Sequence, residues 1–153
     1  MEVKITKFFS AAHFLINHEK CGKIHGHNWK VIAYIDGKVN EKGWVIDFIV
    51  LKKIIDEILD KYDHKLLLPN SLNFQIDEKD NIVAFEANEK KYKIPKDDCV
   101  ILNVNNITCE NLSILLCSEL KEKLKNYNIK GIEKIGIEIE EREGQGAKHE
   151  EKF

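Results

Sequence analysis

The stretch His25-Gly26-His27-Asn28-Trp29-Lys30-Val31-Ile32-Ala33-Tyr34-Ile35-Asp36-Gly37 sets how the rest of the chain is read. His27, Trp29, Val31, Ala33 and Ile35 share one parity, and a period of two places them on one face of a β-strand. Asp36-Gly37 then signals a turn. Upstream, Val3, Ile5, Phe9, Ala11 and His13 alternate in the same way over residues 3–15. Joined by a loop over 16–24, the two segments are expected to pair as antiparallel strands.

Downstream the period changes. Phe48, Leu51, Ile55, Ile58 or Leu59, and Tyr62 recur at three and four residues, the spacing of an amphipathic helix. Asp47 is its expected N-cap, and the helix is expected to end near Tyr62. Residues 72–95 read as a small β-meander. Phe74 and Ile76, Ile82 to Phe85, and Tyr92 and Ile94 form its strands, with turns at Asp80-Asn81 and Asn88 and Pro95 closing it. Thr108 is the expected N-cap of a second helix, whose apolar face is Leu112, Leu115, Leu116, Leu120 and Leu124. Asn128 and Gly131 bracket its end. Ile135, Ile137, Ile139 and Glu141 alternate along a final strand over 132–141, and the polar tail 144–153 reads as frayed. The order β-β-α-(meander)-α-β describes an α+β fold: an antiparallel sheet with two helices on one face. All of it reads as one domain, residues 1–153, with the meander inserted at about 70–97.

Composition narrows the function. A chain of 153 residues with 43% hydrophobic and 33% charged residues reads as soluble and globular. No apolar run nears the ~20 residues of a membrane span, and the first residues show no signal-peptide core, so a cytoplasmic protein is expected. The net charge is −2 and Arg142 is the one arginine, which argues against nucleic acid as a partner. Cys21, Cys99, Cys109 and Cys117 form no CxxC pair, which argues against a Cys-rich zinc finger. Cys117 falls in an apolar helical stretch and reads as core. Cys99 and Cys109 have no supporting context.

Parity brings histidines together. His13, His25 and His27 fall on the same face of neighbouring strands, where opposed Cβ atoms lie about 5 Å apart. Three imidazoles leave one tetrahedral position open, the pattern of a catalytic metal site. The competing reading is isolated strand histidines, and spacing alone does not choose between the two. Cys21, four residues before His25, is either a thiol activated by a nearby cation or an ordinary loop cysteine. Asp63-His64 is either an oriented imidazole or a helix-terminal histidine at the favourable end of the dipole. Glu141 either meets a partner at the edge of a buried face, such as the NH/NH2 edge of a ligand, or ends a solvated strand.

These motifs, taken together, resemble the 6-pyruvoyl-tetrahydropterin synthase family. Phe9-Ser10-Ala11-Ala12-His13, Cys21-Gly22-Lys23-Ile24-His25-Gly26-His27, Gly43-Trp44-Val45-Ile46-Asp47-Phe48, Asp63-His64, Thr108-Cys109-Glu110-Asn111 and Glu141 occur in the family's order, over residues 5 to about 149. The resemblance implies a tunnelling fold, with a four-stranded main sheet closed into a barrel by three subunits and two trimers stacked as a hexamer. It implies one Zn2+ per subunit on His13, His25 and His27, Cys21 as the thiol that takes a substrate proton, and His64 with Asp63 as its partner in proton relay. It implies that Glu141 anchors a pterin ring, with Thr108 and Glu110 near that pocket; Lys20 and Lys23 are suspected of meeting a triphosphate. The Cys-x3-His-Gly-His spacing is similar to that of 6-carboxytetrahydropterin synthases, which act on 7,8-dihydroneopterin triphosphate in the route to queuosine and archaeosine. The alternatives are a synthase of the pyruvoyl product and a pterin- or purine-binding module without turnover. Three positions depart from the family pattern: Leu68 where Asn is usual, Ile107 where Pro is frequent, and Arg142 after Glu141 where Thr is common.

Overall fold

The computed structural model describes all residues, 1–153. Strands β1 (Glu2–His13) and β2 (His25–Gly37) pair antiparallel in unbroken register, with Phe9 opposite Trp29, Ala11 opposite His27 and His13 opposite His25. Helix α1 (Phe48–Leu59) follows, and the Asp47 carboxylate caps it by accepting from the Ile49 amide at 2.7 Å. Next come β3 (Lys65–Pro69), the three-stranded sheet β4 (Phe74–Asp77), β5 (Ile82–Ala87) and β6 (Lys90–Pro95), and β7 (Cys99–Leu102). Helix α2 (Cys109–Asn126) is capped by Thr108, and β8 (Ile132–Arg142) and β9 (Gln145–Lys152) complete the chain.

The main sheet runs β7-β3-β1-β2-β8-β9. It differs from expectation in three ways. It has six strands rather than four, and β3 lies parallel to both β1 and β7, so the sheet is mixed. The polar tail is not frayed, because β9 pairs with β8 along its length. Its side chains read as polar because β9 is an edge strand with one exposed face.

Odd-numbered residues of β1, β2 and β8 point toward the two helices. There Phe9, Trp29, Val31, Ile35, Ile135, Ile137 and Ile139 meet Leu51, Ile55, Ile58, Leu112, Leu116 and Leu120 in one continuous core. Phe48, expected on the apolar face of α1, is 47% exposed, and Ile54 takes the buried position instead. A second, smaller core joins the meander to the main sheet: Phe14, Leu66, Leu68, Val83, Phe85 and Ala87. Phe14, Phe85 and Tyr92 stack at its centre, with ring centroids 4.9 to 6.1 Å apart. No helix is long and apolar enough to cross a membrane.

Candidate active site

The three histidines lie on the helix-facing side of the sheet, at the end where β1 stops and β2 begins. His13 and His25 sit directly opposite, and the small Ala11 opposite His27 leaves room for its ring. Ring centroids are 4.6 Å (His13–His25), 5.1 Å (His13–His27) and 5.0 Å (His25–His27) apart. One ligand nitrogen from each ring lies within 4.8 Å of the others.

Backbone carbonyls fix two of the rings. His13 Nδ1 is 2.9 Å from the Ile107 carbonyl and His25 Nδ1 is 2.7 Å from the Lys23 carbonyl. A carbonyl only accepts, so each Nδ1 carries the proton and each Nε2 keeps a free lone pair, the arrangement typical of metal-ligating histidines. Trp29 packs edge-on against His13 and His27, at 4.9 and 5.2 Å, and its indole N–H donates to the Ala11 carbonyl. His13 is 1% exposed, and burial lowers its pKa to about 4, so it is neutral at pH 7. Burial also lowers the His27 pKa, against an opposing pull from Glu141.

The Nε2 atoms of His13 and His27 are buried and have no hydrogen-bond partner. Buried nitrogens without partners are costly in a native interior. Glu141 Oε1 stands 3.8 Å from His13 Nε2 and Oε2 stands 4.0 Å from His27 Nε2, too far for hydrogen bonds. Two orphaned lone pairs, a third imidazole and a carboxylate thus face one small volume. The three imidazoles fit a divalent cation of borderline softness with an open position, and the Glu141 carboxylate stands close by.

Glu141 reaches this point because of a β-bulge. Pairing of β8 with β9 shifts between Glu140 and Arg142, leaving Glu141 as the unpaired extra residue. A bulge re-aims a side chain, and here it turns the carboxylate toward the histidines. Cys109, which had no context in the sequence, lies against Glu141. Burial, then the Glu141 charge, pushes its thiol up to about 11.

Cys21 sits in the loop between β1 and β2, outside the group of converging ligand atoms. Its amide donates to His18 Nδ1 at 2.9 Å, and its carbonyl accepts from Leu15 N at 2.8 Å. The turn β5–β6 holds the same loop. Asn88 Nδ2 donates to the carbonyls of Leu15 and Gly22, both at 3.0 Å, and Asn88 Oδ1 accepts from Asn17 N. Gly22 is required there, because a Cβ would overlap the His18 carbonyl oxygen. Gly26 is under no such demand; a Cβ would make ordinary contacts with Ala11 and Ala12.

Asp63 and His64 lie elsewhere. Asp63 Oδ1 accepts from the Ser10 amide at 2.8 Å, and Asp63 Oδ2 meets His64 Nδ1 at 2.8 Å. The side-chain bond that adjacent strand residues would not form is made because His64 adopts a left-handed backbone, φ 59°. The Ser10 amide and then His64 hold the Asp63 carboxyl below its usual range. His64 opens onto a cleft of about 560 Å³ with Ser10, Ala12, Asn28 and Asp98, on the side of the β1–β2 pair opposite His13. His27 alone among the three histidines borders that cleft. Thr108 caps α2 by accepting from Asn111 N at 3.3 Å, and Glu110 is exposed in the first turn.

A mixed sheet curled over two helices, with three imidazoles and a carboxylate converging at its end, defines an α+β protein of the tunnelling type. The chain belongs to the 6-pyruvoyl tetrahydropterin synthase family, whose model matches residues 2–152. A Methanocaldococcus jannaschii protein, provisionally named a 6-carboxy-5,6,7,8-tetrahydropterin synthase, is 38% identical over 141 residues, covering 91% of this chain and 86% of that one. An Archaeoglobus fulgidus protein with the same provisional name is 54% identical over 67 residues, covering 44% of this chain and 58% of that one. The Plasmodium falciparum 6-pyruvoyl tetrahydropterin synthase structure superposes with a TM-score of 0.87 at 26% identity, over 100% of this chain and 98% of that one.

The sequence alone missed Ile107, whose carbonyl orients His13, and Asn88, which holds the Cys21 loop. Neither carries a chemical signature. Their roles come from a carbonyl and an amide placed by tertiary packing.

Proposed function

We propose that the chain is a cytoplasmic 6-carboxytetrahydropterin synthase, a zinc-dependent lyase. It would convert 7,8-dihydroneopterin triphosphate to 6-carboxytetrahydropterin, acetaldehyde and triphosphate, in the route to queuosine or archaeosine. The observation that carries this reading is the set of unpartnered Nε2 atoms facing one volume with Glu141, at the end of the sheet where the loop carrying Cys21 joins β1 to β2. The names of the archaeal relatives favour the carboxy product.

His13, His25 and His27 hold the metal in this reading. Bound zinc supplies Lewis acidity toward oxygens of the substrate side chain. Cys21, as thiolate, removes the side-chain proton. Glu141 accepts from the amidine-like NH/NH2 edge of the pterin through its two oxygens, in the neighbourhood of Thr108 and Glu110. His64, oriented by Asp63, completes the proton relay. Within one chain the His64 cleft lies across the β1–β2 pair from His13, so the His64 that serves a given Cys21 comes from a neighbouring subunit. That requirement favours a homo-oligomer, a trimer or a pair of stacked trimers, with active sites between subunits. Lys20 and Lys23, exposed on the Cys21 loop, are the cations nearest in sequence for the triphosphate.

The test is an anaerobic incubation of zinc-loaded protein with 7,8-dihydroneopterin triphosphate, assayed for acetaldehyde and triphosphate together. Both products are expected. Triphosphate without acetaldehyde would make the enzyme a synthase of the pyruvoyl product. Neither product, with the pterin still bound, would reduce it to a binding module.

A further inference from the structure

We propose that Cys117, His149 and Glu151 form a second metal site, for a thiophilic divalent cation such as Zn2+, separate from the three-histidine cluster. Cys117 lies on α2, eight residues beyond the helix start at Cys109. At 1.5 Å per residue it is about 12 Å along the helix from the thiol that flanks Glu141. Its side chain is fully buried against β9. His149 and Glu151 are alternate residues of β9, so both project to the same, helix-facing side. One ligand atom from each of the three lies within 4.8 Å of the others.

The groups are already divided as a metal would need them. Glu151 Oε2 accepts from the Lys121 ammonium at 2.8 Å, while Oε1 faces His149 Nε2 at 3.9 Å. The Cys117 Sγ lies within 4.8 Å of the same carboxylate. Tetrahedral zinc, with bonds of about 2.0–2.3 Å, wants its donors roughly 3.3–3.8 Å apart. His149 and Glu151 are partly exposed and free to swing inward by the difference, and they provide the entry path from solvent. Binding exchanges one proton: the Cys117 S–H bond breaks, a sulfur–metal bond forms and the proton leaves to water. A thiolate and a carboxylate then neutralise the ion, and Lys121 remains on the outer oxygen. A soft sulfur, an imidazole and one carboxylate select zinc-like ions over magnesium or calcium. The ion would tie edge strand β9 to α2.

The experiment is a Co2+ titration of the full-length chain carrying Cys21→Ala, which removes the thiol of the loop that leads into His25 and His27. That protein is expected to bind about two Co2+ per chain and to show a sulfur-to-cobalt charge-transfer band in the near ultraviolet. Adding Cys117→Ser should leave one Co2+ and abolish the band. His149→Ala in the same background changes a partly exposed strand residue and so keeps the fold; it should weaken the second Co2+ by at least about tenfold and leave the first unchanged. A single equivalent in the Cys21→Ala chain, or a band that survives Cys117→Ser, overturns the proposal. None of these readouts depends on turnover.

Discussion

At the scale of single residues, the centre depends on keeping His13 neutral. Burial comes first among the causes that lower its pKa to about 4, with repulsion from His25 and His27 in support. In the metal-free protein this links stability to pH. Above the ordinary histidine pKa near 6.5, folded and unfolded chains are both neutral at this position, and it contributes no pH dependence. Below it the unfolded chain binds a proton that the folded chain refuses until about pH 4. Stability should therefore fall as pH drops from 6.5 to 4, by about 3 kcal/mol from this residue. Urea melts of chelator-treated protein across that range measure it, and a His13→Gln chain should show a shallower slope. Cys21 makes a different prediction, because nothing in the metal set depends on it. Cys21→Ala should retain about one zinc per chain on the histidines. It should lose about 10²–10⁴-fold in kcat, the usual worth of a positioned base. Unchanged turnover would remove Cys21 from the mechanism.

At the scale of elements, the inserted meander is a brace for the Cys21 loop. Asn88 satisfies two loop carbonyls and one loop amide, and the Phe14–Phe85–Tyr92 stack anchors the turn beside His13. Asn88 has φ 48°, so Asn88→Gly keeps the backbone and deletes only the side-chain bonds. That variant should lose at least about tenfold in kcat, because a thiol displaced by about 1 Å is out of reach of its proton. Its zinc content should be normal; loss of zinc would mean that the brace supports the histidines instead. The meander's strands were legible in the sequence because each alternates between Asn- and Asp-marked turns. β1, β2, β8 and both helices were legible for the same reason, a clean period and a cap. β3 was not, because Leu66-Leu67-Leu68 is buried on both faces between the two cores, and a strand of that kind has no alternation to read. β7 is only four residues long, and β9 offers Ala147, His149 and Glu151 to the helices where a core strand would offer aliphatics. Parity placed the three histidines on one face, whereas the bulge that aims Glu141 leaves no mark in composition.

At the scale of the whole molecule, the groups that the proposed reaction needs lie on two sides of one chain's sheet. The three histidines lie on the helix-facing side, next to the loop that carries Cys21, while His64, held by Asp63, opens onto the cleft across β1 and β2. The sheet also ends in two unpaired edges, β7 and β9. Open edges are a liability that closing a ring of subunits removes, and in the proposed oligomer such a ring would bring one chain's His64 to its neighbour's Cys21. This makes a prediction that a monomeric site cannot imitate. Cys21→Ala and His64→Ala chains should each be nearly inactive alone. Denatured together in equal amounts and refolded, they form mixed rings. A site works only when its own chain supplies Cys21 and the neighbour supplies His64, which random assembly gives in about a quarter of sites. Activity of the mixture should therefore recover to about a quarter of wild type. If both groups came from one chain, every site in the mixture would lack one of them, and mixing would restore nothing.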